Sequence, residues 1–453
     1  MSRTGLEDAG MDLQESSKDG AASELGRKVR RHLLPPLFII YVVAYLDRIN
    51  VGFAALDMDR EVGLSSEQYG LLSGIFFWGY FLFEVPSNLM LHRTGARTWI
   101  ARILLTWGVI AALTGLAQSA QQLYMARFCL GAAEAGCFPG ILYYLTYWFP
   151  QRQQAQAVGL FLTSLPTASI IGGPLSGWIM DHVHHFGMSG WRWLLILEAL
   201  PAIACGLLTY LFLPDRPKDA WFLSEDEKRR IEIELGVEAA AKPNGGDLSI
   251  WRSLTHPRIL HLVAIHFLFL MGLYISGFWM PQSIKDLAQG YSNTVIGLLV
   301  MIPSAVSLLT MVMVSRHSDE SNERYLHAAL PLLIAAVGLY FVGATPSLTS
   351  RMILWCVVAS GIASYLGPFW ACPSELMSGR SAASALAFIN SVGSLGSFFA
   401  LTIIGSIASH NGTPRAGFQA VAVALALAAV LMLAQKLYSR QTAPVSAARL
   451  NAR

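Results

Sequence analysis

The sequence predicts an all-α membrane protein of twelve transmembrane helices, arranged as two pseudo-symmetric six-helix bundles. Three observations carry this. Of 453 residues, 54% are hydrophobic and only 13% charged, against roughly 25% charged in a typical soluble domain. The apolar residues fall in runs of roughly 20, the length a helix needs to cross about 30 Å of hydrocarbon. Two local patterns also recur at nearly half the chain length. Arg152-Gln-Gln-Ala-Gln-Ala157 is matched by Arg380-Ser-Ala-Ala-Ser-Ala385 at an offset of 228, and His92 with Arg97 by Asp319 with Arg324 at 227. Such repeats imply two similar halves with a binding site between them near the midplane.

In chain order, the spans are expected at 33–56, 69–91, 99–118, 121–147, 155–180, 192–213, 258–282, 293–315, 326–344, 351–373, 381–409 and 416–438. This gives an N-terminal bundle over 31–213 and a C-terminal bundle over 258–438. The first 26 residues are polar and acidic-leaning, without the basic start and short apolar core of a cleaved signal peptide, and residues 1–30 read as a disordered cytoplasmic tail. Residues 439–453 form a second tail. The stretch 214–257 is polar and holds the charge run Glu225 to Arg230. It reads as a solvated linker, with Leu223–Leu235 as an alternative amphipathic surface helix capped by Ser224.

Loop charges set the orientation. Arg27, Lys28, Arg30, Arg31, Arg93, Arg97, Arg152, Arg316, Arg324, Arg380, Lys436 and Arg440 fall on one side with the central linker. Both termini are therefore expected in the cytoplasm. A net charge of +3 gives no bulk attraction to nucleic acid. The five cysteines lie inside apolar runs without paired spacing, so neither a disulfide framework nor a zinc site is expected. No His-Glu-x-x-His, Gly-x-Ser-x-Gly or nucleotide-binding loop is present, so the chain reads as no enzyme, without metal or cofactor.

An ionisable residue at bilayer depth costs at least about 2.5–3.5 kcal/mol on insertion scales. The first half nonetheless carries Asp47 and Arg48 in its first span, Arg127 and Glu134 in its fourth, and Glu84 and Glu198 nearer span ends. The second half has almost none. Its seventh span offers only His261 and His266, which read as structural or at a cavity rim. At 1.5 Å rise per residue, Arg48 lies roughly 22 Å from the cytoplasmic end and Arg127 roughly 9 Å from the outer end of an opposed helix. The two guanidinium groups are thus expected at one level. Glu134 follows Arg127 by two turns on the same helix face.

One reading is a water-accessible cavity where Arg48 and Arg127 meet a carboxylate, while Asp47 and Glu134 exchange protons. Guanidinium suits the first task because it stays charged and its fork matches carboxylate. The other reading is a static ion-pair network that stabilises helix packing. Glu84, before Val85-Pro86, reads as a structural or gating pair. Gly172-Gly173-Pro174 with Gly177, and Gly367-Pro368, mark small-residue packing and kinks. Trp370 and Asn390 are cavity candidates.

These residues carry a family resemblance. Tyr45-Leu-Asp-Arg-Ile-Asn50, Phe83-Glu-Val-Pro-Ser-Asn88 with His92-Arg-Thr-Gly-Ala-Arg97, Arg127-Phe-Cys-Leu-Gly-Ala-Ala-Glu-Ala-Gly136, Tyr147-Trp-Phe-Pro150, Leu213-Pro-Asp-Arg-Pro217 and Phe388-Ile-Asn-Ser391 resemble the anion:cation symporters, a major facilitator family. The resemblance covers roughly residues 30 to 440. Within the family it is to tartrate transporters and hydroxyphenylacetate or phthalate permeases. It implies the major facilitator fold in a bacterial inner membrane, and proton-driven uptake of a small organic anion by alternating access. Its partners would be the anion, protons and membrane lipid, the protein being a monomer. It further implies proton coupling by Asp47 and Glu134, and substrate binding by Arg48 and Arg127, with Tyr45, Tyr80, Ser164, Trp370 and Asn390 at the substrate. Gating falls to His92, Arg93, Arg97, Asp319 and Arg324. Two positions depart from the family pattern. His92 stands where an aspartate is usual, which puts aspartate-based gating of the first half in doubt, and Asn322 stands where the second loop would have glycine.

Two other functions fit parts of the sequence. A drug/proton antiporter of the same fold is suggested by Gly173-Pro174 with Gly177, but its pocket for cations would not favour two arginines at one depth. A transporter-like sensor would need a signalling domain, and the tails are too short for one.

Overall fold

Each of the twelve expected spans is helical in the computed structural model of the protein. It describes the backbone over residues 3–241, 256–376 and 379–441, and side chains over 24–150, 153, 157–237, 256–372 and 387–436. The first half consists of α1 (Arg3–Val62), α2 (Ser66–Thr94), α3 (Ala96–Thr114), α4 (Ala120–Glu134), α5 (Cys137–Thr146), α6 (Gln151–Leu162), α7 (Ser164–His182) and α8 (Gly190–Phe212). The linker helix is α9 (Glu225–Ala241). The second half consists of α10 (Pro257–Leu273), α11 (Ile275–Phe278), α12 (Met280–Lys285), α13 (Asn293–Glu320), α14 (Tyr325–Val342), α15 (Leu348–Leu376), α16 (Gly379–Asn411) and α17 (Arg415–Gln441). Among the described residues, eleven stretches are long and apolar enough by composition to cross a membrane. The second span, α2, carries Glu84 inside its apolar run and completes the twelve.

Three spans expected as continuous helices are broken, each beside a proline that cannot donate to the helix ladder. The fourth divides into α4 and α5 at Ala135-Gly136, where Gly136 is left-handed at φ +85° and Pro139 has no N–H for the preceding turn. The fifth divides at Thr163, three residues before Pro166. There the Thr163 hydroxyl donates to the Leu160 carbonyl at 2.6 Å and the Ser164 hydroxyl to the Phe161 carbonyl at 2.5 Å, so the side chains occupy carbonyls of the loosened turn. The seventh divides at Tyr274 and Trp279, before Pro281. The Phe278 carbonyl at that break accepts from the Tyr69 hydroxyl at 2.6 Å. Irregular backbone at membrane depth persists only where protein groups or a lined cavity satisfy it. The expected kinks at Gly172-Gly173-Pro174 and Gly367-Pro368 do not break their helices. α7 and α15 run through them, and the glycines serve the close packing expected of them.

The halves meet along α2 against α16 and α7 against α13. Contact is closest toward the face opposite α9. A Cβ on Gly173 would sit 2.6 Å from the Gly297 carbonyl oxygen, and one on Gly70 2.6 Å from that of Leu401. At the same face the Asp181 carboxylate, at the end of α7, receives the N–H groups of Asn293 and Thr294 at 3.1 and 2.7 Å and the Thr294 hydroxyl at 2.6 Å. It thereby caps the N-terminus of α13 from the other half.

The sequence repeat is written into the backbone. The loops after the second and eighth spans each place one residue at positive φ, Gly95 at φ +89° and Asn322 at φ +49°. Asparagine tolerates positive φ as few other residues do, so Asn322 can stand at the position matching Gly95, although Gly95 itself lies outside the left-handed helical well at ψ 154°. At the α9 face the Leu223–Leu235 stretch forms a helix. Ser224 caps its start, accepting from the Glu227 N–H at 3.3 Å while Glu227 accepts from the Ser224 N–H at 2.8 Å. Lys28 donates to Glu227 at 2.7 Å and His32 stacks on Phe222 at 4.4 Å. Residues 24–30, expected inside a disordered tail, are instead helical, and Leu25 and Val29 are buried. The second expected tail lies largely outside the described residues.

A valine at Gly173 adds bulk where the two backbones touch, and overpacking of this kind costs about 1–3 kcal/mol. In a background without the five native cysteines, Gly173→Val is expected to speed thiol labelling of a Ser169→Cys probe roughly tenfold, a shift in the balance of closed and open states. Unchanged labelling would mean that the glycine contact does not hold this face shut.

Candidate functional site

The break after Glu134 decides where the charges point. Glu134 is the last residue of α4, and it lies against α1, where Arg48 is ion-paired to it through Nη2. Arg48 is 5% exposed and Glu134 1%. The other terminal nitrogen of Arg48 donates to the Tyr274 hydroxyl at 2.6 Å, at the break of the seventh span. The guanidinium lies over Phe76 at 5.2 Å and Tyr80 at 5.3 Å, faces that attract a cation. Arg48 is thus bound by both halves of the molecule. Sequence reasoning gave Glu134 its nearest base two turns away on its own helix; the fold supplies a nearer one from α1.

Arg127 lies at the same level, as the depth estimate anticipated, but makes a different contact. Its Nη2 donates to the backbone carbonyl of Arg48 at 3.2 Å, and it too lies over Phe76, at 5.4 Å. It is 1% exposed and does not line the central cavity. Asp47, adjacent to Arg48, points the other way. It accepts from the Trp107 indole N–H at 2.8 Å and from the Asn50 amide at 3.3 Å, between α1 and α3. Glu198 accepts from Ser176 at 2.7 Å, within the first half.

The cavity between the halves is walled by Arg48, Tyr80, Phe138, Trp370 and Asn390, together with Tyr41, His266, Tyr274 and Ser394. Among the described residues Arg48 is the one arginine or lysine on its wall. Of the residues expected at a substrate, Arg48, Tyr80, Trp370 and Asn390 are brought together here. Tyr45 lines a second space between the halves, its ring 6.1 Å from that of Tyr274. Ser164 is buried and bonded within its own helix break. Asn390 donates to Glu84 at 2.8 Å across the halves, which gives Glu84 the pair expected for it. Tyr41, Tyr274 and His266 were not singled out at a substrate. Tyr41 precedes Arg48 by seven residues, two turns on the same face, and that spacing was readable. Tyr274 is positioned by a break with no comparable signal.

The loop residues lie apart from the cavity. His92 is 3.1 Å from the Tyr143 hydroxyl and its ring lies on that of Tyr143, inside the first half. Arg93 is exposed. The Arg97 N–H donates to Asp215 at 2.8 Å and its side chain to the Tyr210 carbonyl at 2.5 Å. Asp215 thus caps α3 from the far end of α8. A Cβ on Gly95 would meet Asp215 at 2.8 Å, so both the glycine and the aspartate of those motifs have a local reason. In the second half Asp319 is ion-paired with Arg324. Beside it, burial pushes the Glu323 carboxyl up, but the Leu326 N–H, Lys436 and His327 hold it down at about 2, so the loop keeps its anion at any physiological pH.

Removing one partner of a buried ion pair leaves an uncompensated charge and costs about 3–5 kcal/mol, whereas replacing both with apolar groups is often neutral. Glu134→Ala is therefore expected to lower the melting temperature of the purified protein sharply. Glu134→Gln, which keeps an acceptor for Arg48, lowers it less, and Arg48→Met with Glu134→Leu recovers most of the loss. Additive losses in that double-mutant cycle would show that the pair contributes no coupling to the fold.

Comparison with known proteins places this geometry in a family. Residues 37–401 match the model of the Major Facilitator Superfamily. The Agrobacterium vitis protein named "Putative tartrate transporter" is 40% identical over 407 residues, 90% of this chain and 93% of that one. A quinolone resistance transporter of Acinetobacter baumannii is 37% identical over 405 residues, 89% of this chain and 93% of that one. Among solved structures, a bacterial homolog of the human lysosomal transporter Spinster, inward-facing and unoccupied, superposes with a TM-score of 0.71 at 18% identity, over 92% of this chain and 99% of that one. The twelve helices in two halves are those of this fold, and the chain is a multi-pass membrane transporter belonging to the Major Facilitator Superfamily.

Proposed function

We propose that the chain is a proton-coupled symporter that imports a small organic anion by alternating access, the anion being a carboxylate such as tartrate or a related hydroxy or aromatic acid. The observation that carries this reading is the Arg48–Glu134 pair. The one arginine on the cavity wall among the described residues is neutralised by a buried carboxylate and contacted by both halves. A substrate carboxylate can take the Arg48 fork only as Glu134 releases it, and Glu134 releases it by taking a proton. Anion and proton then occupy the site together, which is the linkage a symporter needs. Because the fork also touches Tyr274, exchanging its partner acts on the contact between the halves. The A. vitis relative supports a carboxylate substrate.

In this reading Arg127 positions Arg48 through the carbonyl it holds and adds positive potential at the same level. Asp47 is a second proton acceptor, separated from the cavity by α1. The α9 face, rich in arginine and lysine, is cytoplasmic. The tight face opposite it is then external, and this state is closed to the outside. Loop pairs such as Asp319–Arg324 act in gating at the cytoplasmic end.

A drug/proton antiporter is the second reading, and the A. baumannii relative favours it. The two differ in the direction in which a proton gradient drives the solute. In proteoliposomes an acidic exterior is expected to drive accumulation of a carboxylate, and an uncoupler to collapse it. Accumulation that follows sodium and ignores pH, or acid-driven export of a quinolone without carboxylate uptake, would overturn the symport reading. Glu134→Gln is expected to retain anion exchange, since exchange moves no net proton, and to lose pH-driven accumulation. If it still accumulates substrate in response to pH, coupling resides elsewhere, with Asp47 the leading candidate.

A further inference from the structure

The cavity has a second polar feature that the ion pair does not explain. His266, on α10, is 2% exposed, and neither of its ring nitrogens has a hydrogen-bond partner. It lines the same cavity as Arg48. A buried polar group without a partner is costly, and native structures keep few of them. Three of the cavity's other polar groups are already committed: the Asn390 amide donates to Glu84, the Ser394 hydroxyl donates to the Asn390 carbonyl, and the Tyr274 hydroxyl accepts from Arg48.

The ring is also held in place. It stacks on Phe369 with 4.8 Å between centroids and 3° between planes, and meets Trp370 edge-on at 5.0 Å. On α16, Gly393 leaves room for it, since a Cβ there would lie 2.7 Å from His266 Cδ2. The imidazole is packed on its faces by neighbours that offer its nitrogens nothing. A structural histidine normally spends at least one ring nitrogen on a carbonyl or carboxylate. This one presents a rigid, unspent donor and acceptor.

We propose that His266 is the second pole of the binding site and selects hydroxylated carboxylates, its imidazole bonding a substrate hydroxyl while the substrate carboxylate lies on Arg48. A neutral imidazole offers one N–H and one lone pair, and a hydroxyl offers the reverse of each. A site built this way rejects an analogue without the hydroxyl, because the buried polar group is then left unpaired. The inference rests on the carboxylate reading of the cavity and narrows it from carboxylates in general to hydroxy acids.

The test is isothermal titration of the purified, full-length protein with acids paired by hydroxyl content: tartrate with succinate, lactate with propionate, mandelate with phenylacetate. Wild-type protein is expected to favour the hydroxylated member of at least one pair by roughly tenfold or more. His266→Phe preserves the stack on Phe369 and should reduce that ratio to about twofold or less by weakening the hydroxy acid alone. His266→Gln, which again offers a donor and an acceptor, should restore part of it. Gly393→Ala removes no polar atom but displaces the ring, and should reduce the ratio in the same way, so the inference stays testable if His266→Phe folds poorly. An undiminished ratio in folded His266→Phe or Gly393→Ala overturns the inference, as does wild-type protein that binds carboxylates without regard to their hydroxyls. Binding of no carboxylate by wild-type protein overturns the anion reading itself.

Discussion

The charge on the cavity wall is set by one ion pair whose acid stands at a break in a helix. Glu134 ends α4 because Gly136 turns left-handed and Pro139 cannot donate to the turn before it. A carboxylate at that position would be intolerable in hydrocarbon without a cation, and α1 supplies one. Once Arg48 is committed to Glu134, its other nitrogen reaches Tyr274 at the break of the seventh span, and Arg127 fastens the Arg48 backbone. Two broken spans, one from each half, are thereby joined through one side chain. The cavity lies where they meet.

The same economy governs the rest of the membrane region. Water is not there to satisfy backbone groups, so the irregular positions draw on protein hydroxyls: Thr163 and Ser164 at the fifth span, Tyr69 at the seventh. Glycine does the complementary work. At Gly173, Gly297 and Gly70 it removes side chains so that helices of opposite halves touch backbone to backbone.

Much of this was legible in the sequence, for identifiable reasons. Span lengths and number follow from the bilayer, a uniform constraint that acts on every run alike. The level shared by Arg48 and Arg127 follows from helix rise and direction. The repeat after the second and eighth spans was readable in His92 with Arg97 and Asp319 with Arg324. Its positive-φ residues, Gly95 and Asn322, strengthen it beyond what residue types alone carry. What was not legible depends on rotation about helix axes. Asp47 and Arg48 are neighbours in sequence yet point to opposite sides of α1, one toward Trp107 and the other toward the cavity. Ser164, expected at the substrate, is spent on its own helix. The glycine-proline pairs of α7 and α15, which read as packing and kink positions, lie inside unbroken helices. The breaks fall at Gly136, Thr163 and Tyr274, each with a proline further along, and at the fifth and seventh spans side-chain hydroxyls occupy nearby carbonyls.

The closure opposite α9 combines two kinds of contact that respond differently to separation. At its rim, Asp181 caps α13 with backbone and side-chain bonds that water can replace one for one as the halves part. Deeper in, Gly173 and Gly297 meet through carbonyls and Cα surfaces that offer water little to bond. A path that begins at the rim thus trades polar contacts at little net cost before any dry surface is exposed. A path that begins in the middle would open a void first. The layering therefore favours one order in any opening of this face, with wetting of the Asp181 cap ahead of separation of the glycines.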